Sequence, residues 1–81
     1  MAIKDRARPD GSALADRREG AAREHERSAA RFEQHAALLD RHGAHRSART
    51  ERRHADDERS AAEAARRTVQ AVRRLADVPK A

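Results

Sequence analysis

The sequence predicts an all-α protein, an antiparallel two-helix hairpin with an alanine-rich, coiled-coil-like seam. Three observations carry that expectation. Small residues recur every seventh position in two stretches, and no proline falls between Pro9 and Pro79. The pentapeptide Glu26-Arg27-Ser28-Ala29-Ala30 also returns at Glu58-Arg59-Ser60-Ala61-Ala62, on the far side of a glycine. Apolar or small residues seven apart share one helix face, the a/d pattern of packed helices.

Residues 1–11 mix charges with Pro9 and Gly11 and show no period, so they read as a mobile N-terminal arm. Ser12 is the expected N-cap, its hydroxyl accepting an orphan N–H of the first turn. The first helix, about 12–42, carries Ala15, Ala22, Ala29 and Ala36 in one row and Arg18, His25, Phe32 and Leu39 in the next. Gly43 fits the left-handed position past a helix end, and Arg41 and His42 suit the negative end of the helix dipole. The second helix, about 45–77, is capped by Ser47 or begins directly at Ala44. Its rows are Ala48, Ala55, Ala62, Val69 and Ala76, then Glu51, Glu58, Ala65 and Val72. Val78-Pro79 ends it, because the residue before proline avoids the helical region, and 79–81 form a tail.

Folding at Gly43 sets residues whose numbers sum to about 87 or 88 opposite one another. Leu39 then meets Ala48, Phe32 meets Ala55, His25 meets Ala62 and Arg18 meets Val69. The two pentapeptides lie side by side in opposite directions, their alanines allowing close approach and their Glu and Arg pointing outward. The expected packing seam is Phe32, Leu39, Ala48, Ala55, Val69 and Val72, with Phe32 at its centre. A single helix running through Gly43 into a coiled-coil dimer is the structural rival.

Of the thirty apolar residues twenty are alanine, and charged residues make up 41% of the 81-residue chain. A buried Leu, Val or Phe contributes roughly 1.5–3 kcal/mol and an alanine much less, so a core this thin calls for association to supply burial. A largely disordered monomer is the alternative that such a charge content allows. There is no cysteine, which excludes disulfides, thiolate metal ligands and a thiol nucleophile. The first residues lack the apolar stretch of a secretory signal. The longest apolar run, Ala36-Ala37-Leu38-Leu39, is far too short to span a bilayer, so a cytoplasmic setting is expected.

These residues resemble those of a group of small actinobacterial proteins, rich in Ala, Arg and Glu and of unknown function. The likeness runs through Ala21-Ala22, His25-Glu26-Arg27 and Ala29-Ala30, then Asp40-x-His42-Gly43, then Glu51-Arg52 with Ala55, and Glu58-Arg59 with Ala61-Ala62. It covers about half the chain and implies a helical hairpin in a bacterial cytoplasm, with no activity attached. Ala44 departs from the acidic cap that often follows the turn glycine in that group.

The candidate chemistry is sparse. Glu51 and His54, three apart on a helix, have the spacing by which four-helix carboxylate bundles collect metals. Glu33 and His35 would lie nearby on the first helix, so a dimer could gather a ligand set. Seven Glu and five His give such a spacing often by chance, and arginines flank every ligand, so no metal or other cofactor is expected. His42 and His45 bracket the turn, where protonation near neutral pH would act; filling and exposed roles are the plainer reading of all five histidines. Arg66, Arg67, Arg73 and Arg74 form a basic stripe that could meet phosphates. Phe32 is the only aromatic residue, so bases would have little to stack on. No glycine-rich phosphate loop and no cleft is foreseen, and an enzyme is not expected. The expected role is helical interaction or assembly, with a second copy or another protein as partner. Nucleic-acid docking through the arginine stripe is the alternative, and a metal-binding four-helix dimer comes third.

Overall fold

The computed structural model describes residues 11–77, which form two helices joined by a tight turn: α1 (Ser12–Arg41) and α2 (His45–Ala76). The hairpin is antiparallel, and no strand occurs among the described residues. Alanine has the highest helix propensity and arginine and glutamate stand close behind it, so composition alone favours both elements. The proposed N-terminal arm up to residue 10 and the Val78-Pro79 terminator with its tail lie outside the described residues.

The turn is built by a glycine in the left-handed conformation. Gly43 has φ +80°; its N–H donates to the Asp40 carbonyl at 3.0 Å and that of Ala44 to the Leu39 carbonyl at 2.9 Å. This paired closure satisfies the carbonyls that the end of α1 leaves open. The chain reverses here, so the rival of one uninterrupted helix is not what forms. α2 starts from Ala44, whose carbonyl accepts the Ala48 N–H at 3.0 Å. Of the two starts foreseen, the direct one at Ala44 is realised and Ser47 lies inside the helix.

At the other end the cap differs from expectation. Ser12 is the first helical residue, and Gly11 is the N-cap, with φ +73° and its carbonyl accepting the Ala15 N–H at 3.0 Å. The physical reason is space as well as backbone angle. A Cβ at Gly11 would stand 2.8 Å from Val72 Cγ1, so the start of α1 presses directly against α2 where only glycine fits.

The seam follows the seven-residue rows. Ala15, Ala22, Ala29 and Ala36 of α1 are buried, as are Ala48, Ala55, Ala62, Ala65 and Val69 of α2. Ala22, Ala36, Ala48 and Ala55 have no exposed surface at all. Ala76, the last of its row, is exposed. Methyl groups at facing positions let two helices come close, and that closeness leaves little room beside them, Val69 being the one larger side chain buried among the described residues. Phe32, Leu39 and Val72, expected in the seam, are accordingly half-buried at its edge. The Phe32 ring meets the His54 ring edge-on, with centroids 5.2 Å apart.

Candidate functional site

Two rows beside the alanine seam decide what each side of the hairpin offers. Four residues past each member of the buried rows, α1 carries Glu19, Glu26, Glu33 and Asp40, and α2 carries Arg52, Arg59, Arg66 and Arg73. Three of these form rungs across the helices. Arg66 pairs with Glu26, Arg59 with Glu33 at 3.2 Å, and Arg52 with Asp40. Each pair sums to 92, the antiparallel signature of equivalent rows. The hydrogen bond from Arg66 holds the Glu26 carboxyl below its ordinary range, and Glu26 raises Arg66 in return, with the charge of Glu19 adding to the effect. Arg52, and then His45, do the same for Asp40, and Asp40 raises Arg52.

Asp40 also binds the turn together. One of its oxygens accepts from His45 Nδ1 at 2.8 Å while the other accepts from Arg52. The carboxylate at the end of α1 thus holds the first two turns of α2. Between the rungs lies an open groove of about 330 Å³, floored by Ala29, Ala30 and Ala62 and rimmed by Glu26, Arg59, Glu63 and Arg66. Both pentapeptide copies contribute to it. One alanine of each copy, Ala29 and Ala62, is buried while Ala30 is exposed and Ala61 half-buried, and Glu26, Glu58 and Arg59 reach across the seam instead of pointing away from it.

The opposite side is chemically different. It presents Leu14, Ala21, Ser28 and His35 of α1 beside the Phe32 row, and His54, Ala61, Thr68 and Leu75 of α2 beside the Val72 row. Its acids are matched by histidines. His25 donates through Nδ1 to Glu58 Oε2 at 2.6 Å, and His35 Nδ1 stands 3.3 Å from Glu51 Oε2. A shallow groove of about 290 Å³ runs between Ser28, Arg31, Phe32, His35 and Glu51. No described helix is long and apolar enough to cross a membrane.

The four metal candidates are not gathered at one point. His35 and Glu51 meet, His54 packs on Phe32, and Glu33 is held by Arg59 on the other side of the hairpin. No group of three metal-ligand side chains converges among the described residues. The arginine stripe is likewise divided. Arg66 is engaged by Glu26, whereas Arg67, Arg73 and Arg74 have no carboxylate partner among the described residues. α1 balances six arginines against six acids, and α2 carries nine against five. The excess charge of the hairpin belongs to α2.

The carboxylate–arginine ladder is the feature that sequence reasoning missed. Its signal was legible: acids at 19, 26, 33 and 40, arginines at 52, 59, 66 and 73, each seven apart. Comparison with known proteins adds nothing to this geometry, since no family, no curated protein and no solved structure matches the chain.

Proposed function

We propose that the chain is a non-enzymatic helical assembly protein, whose hairpin is completed by another helical surface, that of a second copy or of a different protein. One observation carries this reading. Seven side chains larger than alanine and wholly apolar are described, and only Val69 is buried. Leu14, Phe32, Leu39 and Val72 are half-buried, Leu38 is 46% exposed and Leu75 is 75% exposed. By heptad position all six lie on the histidine-bearing side, and none on the ladder side. An amphipathic surface of this kind gains from being covered, and a small hairpin with a methyl-lined core needs that gain. A bacterial cytoplasmic setting belongs to the same proposal.

The test is linkage between assembly and folding. Helicity by circular dichroism should fall on dilution in step with a loss of mass by sedimentation. A fully helical monomer at every concentration would defeat the reading.

A second reading, docking on nucleic acid, draws on Arg67, Arg73 and Arg74, which lack carboxylate partners among the described residues near the end of α2. Replacing those three by glutamine keeps helix propensity. If they hold phosphates, duplex affinity collapses and a log–log salt slope of about −2.7, from three contacts, flattens. Salt-insensitive, unchanged binding would dismiss that role.

A further inference from the structure

We infer that the histidine-bearing side of the hairpin is the docking face for a second copy of this chain, laid antiparallel so that α1 packs on α1 about a two-fold axis near Ser28. This rests on the assembly reading above and names its partner and geometry.

The face has a size pattern that suits such a partner. Its large apolar side chains lie on either side of the midpoint: Phe32, Leu38 and Leu39 toward the turn, Leu14, Val72 and Leu75 toward the open end. At the midpoint one row on each helix is small, with Ala21, Ser28 and Ala61 half-buried beside the His25–Glu58 pair. An inverted copy sets the turn end of each hairpin on the open end of the other. The small residues then cross at the axis, where two backbones must approach most closely.

Charge agrees with that direction. The acids on this face are already met by histidines within the chain, His25 with Glu58 and His35 with Glu51. The outer row of α1 along its rim reads Arg17, Glu24, Arg31, Leu38. Reversed against itself, this row places Glu24 opposite Arg31 twice, and Leu38 beside the aliphatic stem of Arg17. In the single chain Glu24 takes Arg27, with the charge of Arg31 acting on it as well, and among the described residues Arg31 donates to the Ser28 hydroxyl at 2.9 Å and to no carboxylate, so Arg31 is available to a partner carboxylate. An isologous interface of this kind closes on itself and stops at two copies. A dimer with both turns at one end would instead bring α1 onto α2, with Ser28 far from its own copy.

Single-cysteine variants test the inference, because the chain has no cysteine of its own. Ser28→Cys and, independently, Ala61→Cys should form disulfide-linked dimers under mild oxidation, at concentrations where the parent sediments as a dimer. Ser60→Cys, on the outer face of α2, should not. Glu24→Arg should weaken the dimer several-fold, and Glu24→Arg with Arg31→Glu should restore it. A parent dimer in which both Ser28→Cys and Ala61→Cys stay unlinked, each with parental helicity, overturns this face and orientation while leaving assembly intact. A helical parent that is monomeric throughout overturns both.

Discussion

Ala55→Leu opposes two accounts of the seam with opposite signs. Ala55 has no exposed surface and belongs to the row that faces the alanines of α1. Leucine adds three carbons. If the seam had room, burying them would stabilise the hairpin by roughly 2.4 kcal/mol at about 0.8 kcal/mol for each. The close approach of methyl-lined helices leaves no such room, so the helices must part or the side chain must take a poor rotamer. Overpacking of this kind costs about 1–3 kcal/mol. In a domain of this size a cost of about 2 kcal/mol lowers Tm by about 8–16 °C. Ala64→Leu, on an exposed row of α2, should stay within about 0.5 kcal/mol of the parent. Thermal melts by circular dichroism at one fixed protein concentration compare the three chains. A melting point for Ala55→Leu at or above the parental value refutes the close alanine seam.

Gly11→Ala should destabilise by about 1–2 kcal/mol from the left-handed backbone alone and further through the 2.8 Å approach to Val72 Cγ1. Adding Val72→Ala should remove that second part, which chemical denaturation of the four chains of the cycle measures. Phe32→Ala should cost at least about 1–2 kcal/mol, the share of the roughly 3–5 of a fully buried phenylalanine that a ring half-buried within one chain supplies; melts of parent and variant at one fixed concentration where the parent is assembled check this. Acid should weaken the ladder. Arg66 and Arg52 lower the folded pKa of Glu26 and Asp40, so their contribution is complete above the ordinary values of 4.5 and 3.8. It is lost as pH falls through the depressed folded values. The Glu26→Gln, Asp40→Asn double variant should therefore show a flatter fall of Tm between pH 5 and pH 2 than the parent, and an equal slope would remove the ladder from the acid response.

The seven-residue alanine rows and the turn glycine were legible because each rests on one local rule, helical periodicity or the left-handed cap. Ser12 misled because a cap was assigned from side-chain chemistry alone. The choice of Gly11 depends on how near Val72 stands, a contact 61 positions away in the chain. Phe32 misled for a related reason. Its size suggested the centre of the core, yet the smaller neighbours set the helix spacing and so moved it to the edge. The metal candidates failed to gather because sequence spacing placed Glu33 and His35 together, two positions apart and therefore on different sides of α1. The arginines at 66–74 were grouped by their closeness in sequence, which hid that Arg66 belongs to a row with Arg52 and Arg59.

That row also bears on how the chain selects a hairpin at all. Buried alanines seven apart and rungs summing to 92 would be satisfied equally by two straight helices from two chains lying antiparallel, so neither feature distinguishes the folded-back chain from its rival. The distinction rests on the turn. Gly43 accepts φ +80° without strain, and its neighbours return two amide donors to the end of α1. Asp40, last of the acidic row, holds both His45 and Arg52, so the rung nearest the turn fastens the first two turns of α2 back onto α1. A straight helix would carry Asp40 away from Arg52, twelve residues and about 18 Å along the axis at 1.5 Å per residue. Within one chain the rung nearest the turn is therefore available only to the hairpin, and with the turn glycine it selects the folded-back chain over the straight one.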